Sequence, residues 1–255
     1  MGLLPQPADT DSDRLAPVVR SDFLTTRWSL VLRAGNEAAP GSAEALEEIC
    51  RLYWYPIYAY VRRMGNEPPD AQDLTQEFFA RLLRLKSVNA VAPQKGKFRT
   101  FLLVSLKHFL SDARDAAHAI KRGSGIPLIS LDEDEAETRF AHELTTNETP
   151  EVLFDRRWML AVLEAAFKKL EAEHHLAGQL ERFEQLRDFL QNPSDDGGYN
   201  SAAQRLAMTP GAVAVAVHRL RQRYRDLVRF EIAETVASEE ELADELRHLF
   251  GRARG

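Results

Sequence analysis

The apolar residues of the chain recur at intervals of three and four, the spacing of an amphipathic helix. In the segment 42–64 they fall at Leu46, Ile49, Tyr53, Ile57, Tyr60 and Met64. No segment shows the strict alternation of apolar and polar residues that is typical of a half-buried strand. The pattern therefore predicts an all-α protein. Pro56 lies inside this first helix, and we expect it to kink or split the helix.

The same spacing predicts two more helices in the first 122 residues. The segment 70–85 has Asp70 as a candidate N-cap and buries a stripe of Leu74, Phe78 and Leu82. A loop at 92–97 then precedes a long helix over 98–122. Together these helices form a first block.

A second helical block begins after residue 150. Its first helix is predicted to bury a stripe of Leu153, Leu160, Leu163, Phe167 and Leu170. Near the end of the chain, Ser238 and Glu241 form a capping box for a last helix that ends at Gly251. Between the blocks, residues 132–151 carry eight acids and one arginine, with little apolar surface. This composition predicts a flexible acidic linker.

The predicted fold is therefore two helical domains joined by this linker. The divisions are a disordered tail 1–20, a first domain 21–120, the linker 121–150, a second domain 151–237 and a C-terminal helical extension 238–255.

The segment 199–224 has the form of a helix-turn-helix. A short helix over 201–207 meets a turn at Met208, and Thr209 is placed to cap a second helix that starts with Pro210. A buried stripe is predicted at Val213, Val217, Leu220 and Tyr224. A neighbouring face holds Ala212, Val215, Ala216, Arg219 and Arg223, and its N-terminal part is the part that enters a major groove.

The charge of the second helix of this motif agrees with DNA binding, although the net charge of the whole chain does not. The formal net charge is −6, yet five arginines lie within residues 219–229. Phosphate binding by this helix is favoured over an ordinary solvated basic face. Because Ala212, Val215 and Ala216 offer no side-chain hydrogen bond to a base, we expect the module to bind weakly alone and to need a partner.

Three segments, read together and in order, resemble a known family. DAQDLTQEFFARLL, at 70–83, is similar to region 2.2 of the sigma-70 family of RNA polymerase sigma factors. GKFRTFLLVSLKHFLSDARD, at 96–115, is similar to regions 2.3 and 2.4, and AQRLAMTPGAVAVAVHRLRQRYRDL, at 203–227, to region 4.2. The lack of a region 3 between the domains resembles the extracytoplasmic-function (ECF, group IV) branch. FLTTRWSLVL, YWYPIYAYVRR and LFDRRW further resemble an ECF-like subgroup.

The resemblance implies three sets of contact residues. Region 2.2 binds the β′ clamp helices of bacterial core RNA polymerase, and the matching positions are Asp70, Asp73, Gln76, Glu77 and Arg81. Regions 2.3 and 2.4 hold the −10 promoter element, and the matching positions are Lys95, Lys97, Arg99, Lys107, His108 and Arg114. Region 4 reads the −35 element while it docks on the β flap, and the expected contacts are Arg205, Thr209, His218, Arg219, Arg221 and Arg223. His108 replaces a common asparagine, and Asp115 interrupts a customary arginine run.

Some implications of the resemblance stay open at this point. The region 2.2 residues also fit an ordinary solvated helix face with an i,i+4 pair between Glu77 and Arg81. The acidic linker either follows the RNA path of the polymerase or is a solvated spacer. An anti-sigma factor, a regulatory kinase or the C-terminal extension could restrain the protein.

Composition narrows the function classes. A single cysteine, Cys50, excludes an internal disulfide and fits a reducing compartment. The sequence shows no secretion signal and no apolar run long enough to cross a bilayer, so we expect a cytoplasmic protein. It has no phosphate-binding loop and no catalytic triad, so no enzymatic activity and no cofactor are expected. Two rivals remain: an autonomous dimeric helix-turn-helix regulator, and a metal-dependent hydrolase that uses the carboxylates of 132–143 with His142.

Overall fold

The computed structural model describes residues 30, 33–34, 36, 39–84, 97–117, 133–141, 147–190, 196–236 and 238–252. All regular structure within these ranges is helical, which confirms the predicted all-α class. In chain order the helices are α1 (Ser42–Arg63), α2 (Pro68–Arg84), α3 (Phe98–Ala117), α4 (Glu133–Ala141), α5 (Pro150–Leu176), α6 (Leu180–Leu186), continued by a 3₁₀ turn (Arg187–Leu190), α7 (Asp196–Arg205), α8 (Pro210–Ala233) and α9 (Glu239–Arg252).

Helix α1 is the centre of the molecule because it is apolar on almost every side. Its buried residues include Leu52, Tyr53, Trp54, Ile57, Tyr58, Tyr60 and Val61. A helix of this kind must be covered all round, and α1 packs against both α2 and α5. The expectation that Pro56 would split the helix is wrong, since α1 continues through it to Arg63.

The two predicted helical blocks share one buried cluster. Residues of α1, α2 and α3 lie in the same hydrophobic core as residues of α5 and α8. The stripe predicted for α5 is only partly correct: Leu160 is 44% exposed, whereas Phe154 and Trp158 are fully buried. The predicted stripe followed the spacing of the leucines, whereas the helix also buries aromatic residues outside that stripe.

Part of the segment predicted as a linker is ordered. Helix α4 lies within it, and Phe140 of α4 is buried beneath the Arg62 guanidinium, which lies 4.7 Å from the ring centroid. Arg62 Nε also donates to Glu137 Oε1 at 2.8 Å, and the Tyr58 hydroxyl donates to the same carboxylate. The acids of this segment therefore serve in part as partners for α1.

Helix α2 begins two residues earlier than predicted. Pro68 is its first residue, so Asp70 lies within the first turn and is not the N-cap. The backbone N–H of the first helical residue has no partner within the helix, so a proline there, which lacks this N–H, costs no hydrogen bond. Of the predicted stripe, Phe78 and Leu82 are buried and Leu74 packs at the edge of the core.

The helix-turn-helix forms as predicted in its second half. The Thr209 hydroxyl accepts from the Ala212 amide at 3.2 Å, and Pro210 is the first residue of α8. The first helix, α7, covers 196–205 and so lies earlier than 201–207. Ala207, with φ 50°, is the left-handed residue of the turn.

Helix α9 closes the chain beside both blocks. The Glu241 amide donates to Ser238 Oγ at 3.2 Å, which confirms the predicted cap. Leu242 and Leu249 are buried. Just before α9, the Thr235 carbonyl accepts from the Phe98 amide at 3.0 Å, so the end of α8 is tied to the start of α3.

Of the helices in the described ranges, none is long and apolar enough to span a membrane. Those ranges also contain no group of three or more side chains suited to hold a metal ion. Asp132 and His142 of the hydrolase hypothesis lie outside the described residues.

Candidate nucleic-acid and protein interfaces

One face of α2 is acidic and open to solvent. At about 100° per residue, Asp70, Asp73, Glu77 and Arg81 fall within about 80° of one another, and Gln76 lies at the border. Asp70, Asp73 and Glu77 are exposed, and the described residues offer no ion-pair partner to Asp73 or Glu77. The opposite face holds Phe78 and Leu82 in the core, so packing fixes the direction of the acids.

Arg81 is bound to the neighbouring helix rather than to Glu77. Its Nη2 donates to Asp112 Oδ2 of α3 at 3.0 Å, and its guanidinium lies 5.8 Å from the centroid of the Phe109 ring. The i,i+4 pair expected on an isolated helix is therefore not made. Because Arg81 is half-exposed, we attribute to this pair no more than about 1 kcal/mol.

Helix α3 presents the predicted −10 residues in two different environments. Lys107, His108 and Arg114 are exposed along its middle and end. Lys107 Nζ lies 2.8 Å from Glu151 Oε1 at the start of α5. The hydrogen bond from Lys107 is the largest cause that holds the pKa of Glu151 below its usual value, and a backbone hydrogen bond adds to it, whereas burial acts in the opposite direction. Lys95 lies outside the described residues.

Lys97 and Arg99, at the start of α3, are held by acids of the second block. Arg99 Nε donates to Glu245 Oε1 of α9 at 2.6 Å, and Lys97 Nζ lies 2.9 Å from the other oxygen of that carboxylate. Arg99 also forms an ion pair with Asp155 of α5. The Arg99 guanidinium lies 5.3 Å from the centroid of the buried Trp158 ring.

This group of charges is buried and mutually compensating. The Glu245 side chain is 0% exposed and that of Arg99 is 8% exposed. Burial alone would raise the pKa of Glu245, but hydrogen bonds and charge from Arg99 and Lys97 hold it below its usual value. Arg99 has a raised pKa, because the two carboxylates outweigh the effect of its burial. We call Lys97, Arg99, Asp155 and Glu245 the α3–α9 charge cluster.

The sequence prediction missed Glu245 and Asp155. A signal for Glu245 was present, since it lies between Leu242 and Leu249 at a spacing of three and four, on the apolar side of its helix. An acid at such a position requires a buried cation. The same signal applies to Glu231 of α8, which is 0% exposed and lies 2.5 Å from Lys169 Nζ.

The predicted −35 residues lie in four kinds of environment. Arg205, His218 and Arg219 are exposed on α7 and α8. Thr209 uses its hydroxyl as the helix cap. Arg221 donates twice to the Phe189 carbonyl, at 2.9 and 2.6 Å, and thereby ties α8 to the preceding 3₁₀ turn.

Arg223 is exposed but already paired. Its Nε and Nη2 donate to the two carboxylate oxygens of Glu173 at 2.8 and 2.5 Å. The hydrogen bond that Arg223 donates to Glu173 is the largest cause of the raised pKa of Arg223. On the face predicted to enter a groove, Ala216 is buried, whereas Val215 is 52% exposed. The expectation that Ala216 lies on that face is therefore wrong.

Comparison with known proteins agrees with this geometry. Residues 53–118, which include the second half of α1 and all of α2 and α3, match the model of Sigma-70 region 2. The chain is also 28% identical over 229 residues to the ECF RNA polymerase sigma factor SigE of Mycolicibacterium smegmatis, an alignment that covers 90% of this chain and 76% of the relative. The chain therefore contains region 2 of the sigma-70 family. No solved structure matches it significantly.

The alignment with SigE, an ECF sigma factor, agrees with the ECF-like motifs of the sequence. The matched region 2 contains both the acidic face of α2 and the basic residues of α3. Its match ends at residue 118, before α4, so the helix-turn-helix is supported by its own geometry and by the longer alignment.

Proposed function

We propose that this sigma factor binds core RNA polymerase through the acidic face of α2 and contacts promoter DNA through α3 and α8. The function of the family is promoter-specific transcription initiation, and the proposal assigns its parts to these surfaces. We expect α3 to contact the −10 element and α8 to contact the −35 element. The protein itself then contributes binding and no bond chemistry.

The observation that carries the polymerase contact is the exposure of Asp73 and Glu77 beside a well-packed apolar stripe. Two carboxylates four residues apart on a rigid helix repel each other by a few tenths of a kcal/mol, at about the size of other i,i+4 pairs. A partner that supplies cations removes this repulsion and gains ion pairs. A basic helical surface, such as the β′ clamp helices that the family uses, fits that requirement.

The DNA contacts are supported by local charge. Arg205, His218 and Arg219 extend from α7 and α8 into solvent, where phosphate groups can reach them. The exposed Val215 offers an apolar contact of the kind that thymine methyl groups accept. Few hydrogen-bond donors face the groove, so we expect binding that depends strongly on salt and weakly on sequence.

Charge reversal at Asp73 and Glu77 tests the polymerase contact. We expect the double variant Asp73→Lys/Glu77→Lys to bind core RNA polymerase at least 30-fold more weakly, since loss of interfacial ion pairs costs about 2–5 kcal/mol. The matched control is Glu44→Lys/Glu47→Lys, which makes the same charge change at exposed positions of α1. Equal affinity of the two double variants would contradict the proposal.

A gel shift without polymerase separates this function from that of an autonomous regulator. A dimeric helix-turn-helix regulator binds duplex DNA tightly alone and prefers an inverted repeat. We expect the free sigma factor to bind promoter duplex weakly and the assembled holoenzyme to bind it tightly. Tight and sequence-specific binding by the free chain would favour the regulator.

A further inference from the structure

We propose that α9 is an intramolecular plug that keeps the start of the DNA-facing helix α3 from binding DNA until α9 detaches. In this state the Glu245 carboxylate occupies the place of a DNA phosphate on Lys97 and Arg99. The proposal rests on the proposed function, in which α3 contacts the −10 element.

The first argument is the chemistry of the α3–α9 charge cluster. A carboxylate and a phosphate use the same arginine and lysine donors, and both prefer paired, charge-assisted hydrogen bonds. One carboxylate oxygen of Glu245 accepts a hydrogen bond from Arg99 Nε at 2.6 Å, and the other lies 2.9 Å from Lys97 Nζ. While it does so, neither cation can give those donors to DNA.

The second argument is accessibility. Lys97 and Arg99 are 24% and 8% exposed at the side chain, whereas Lys107, farther along α3, is 47% exposed. The two residues nearest α9 are thus the covered ones. A phosphate group has access to the middle of α3 in this conformation and not to its start.

The third argument is the balance of charge. In the docked state the two cations are matched by Glu245 and Asp155, so the cluster is neutral. Asp155 belongs to the long helix α5 and is fixed by the core, whereas Glu245 belongs to the last helix of the described structure. Departure of α9 alone leaves the start of α3 with one net positive charge and exposes Arg99.

The fourth argument is that α9 has the means to separate as a unit. Its buried anchors are Leu242 and Leu249, with Glu245 between them, and its His248 lies 3.2 Å from Asp155 of α5. Its first turn holds Glu239, Glu240 and Glu241, which repel any DNA that approaches. The tie between Thr235 and Phe98 lies before α9 and can persist after it leaves.

The experiment measures the affinity of the free full-length chain for a fluorescent single-stranded DNA of about 20 nucleotides, a length that spans the site sizes of such grooves. We expect Glu245→Gln to bind at least fivefold more tightly than the wild type. Asp244→Asn is the matched control, because it removes the same charge from the exposed neighbour on the same helix. Equal affinities for the two variants would overturn the proposal.

A second pair of variants loosens α9 without changing its charge. Leu249→Ala removes a buried anchor, and Phe250→Ala removes an adjacent side chain that is 41% exposed. We expect the first to raise DNA affinity about threefold and the second to leave it unchanged. If Leu249→Ala binds DNA no better than Phe250→Ala, the plug does not exist.

Hydrogen exchange on the wild type covers the case in which a variant fails to fold. We expect the amides of 239–252 to exchange at least tenfold faster in the holoenzyme bound to promoter DNA than in the free chain. Unchanged protection of α9 in a complex that initiates transcription would overturn the plug and leave the proposed function intact. A holoenzyme that cannot initiate would instead refute the proposed function.

Discussion

Two groups of acids in this sigma factor, one on α2 and one on α9, are put to opposite uses. Asp73 and Glu77 are exposed on α2 and have no ion-pair partner among the described residues. Glu245 on α9 is fully buried and contacts two cations. The difference comes from position relative to the apolar stripe. An acid opposite the stripe is free to meet another molecule, and an acid within the stripe must find its cation inside the protein.

The comparison predicts its largest effect for Glu245→Gln. Glutamine keeps the shape but leaves Lys97 and Arg99 with one acid, and breaking a buried ion pair from one side costs about 3–5 kcal/mol. Urea denaturation followed by circular dichroism measures the loss, and exchange of the α9 amides shows whether it is local. A loss below about 1 kcal/mol, the value of an exposed pair, would mean that the cluster is solvated.

Acid titration tests the buried acid of α9. The folded pKa of Glu245 lies below its ordinary value of 4.5, so its contribution to stability is present above that pH and is lost as the pH falls through the folded pKa. We expect the stability of Glu245→Gln to fall less steeply than that of the wild type below pH 4.5. Parallel curves for the two proteins would contradict this.

The arginines of α8 also differ in exposure, and the expected effect of their substitution is smaller. Arg221 is bound to the Phe189 carbonyl, whereas Arg219 is exposed. Arg221→Ala should lower the free energy of unfolding by about 1.5–3 kcal/mol, the range for hydrogen bonds to charged groups. Arg219→Ala should leave stability within about 0.5 kcal/mol and reduce the salt dependence of DNA binding by about one phosphate contact. Thermal melts and salt titrations of holoenzyme binding provide both readouts, and a reversed order would refute the assignment.

The smallest expected effect is that of Asp73→Asn on stability. An exposed side chain of this kind changes the free energy of unfolding by no more than about 0.5 kcal/mol. Differential scanning calorimetry beside the wild type checks it. A larger loss would show that Asp73 has a structural partner and would weaken the proposed polymerase contact.

Local features of the fold were predictable where neighbouring residues decide them. Thr209 followed by Pro210 fixes the start of α8, because proline restricts the preceding residue and threonine supplies the cap. Ser238 fixes the start of α9 in the same way. The split expected at Pro56 is absent, because the burial of the residues around it in α1 outweighs the loss of one backbone hydrogen bond.

Contacts between distant segments were not predictable from the same patterns. The sequence showed that Lys97 and Arg99 lie on a basic segment, but it did not show their partners. Arg99 and its partner Glu245 are 146 residues apart in the chain. Periodicity shows which face of a helix is buried, but it does not show which other segment packs against that face. The acidic face of α2 was predictable, since an exposed face needs no knowledge of another segment.

The all-round burial of α1 has a consequence for dividing or recombining the protein. A fragment that ends after α3 would leave the α5-facing side of α1 in water, including Tyr60, which is buried and contacts Glu151 of α5. Large exposed aromatic patches drive aggregation. Chimaeras that exchange promoter preference between relatives should therefore carry α1 and α5 from one parent and place the crossover beyond α5.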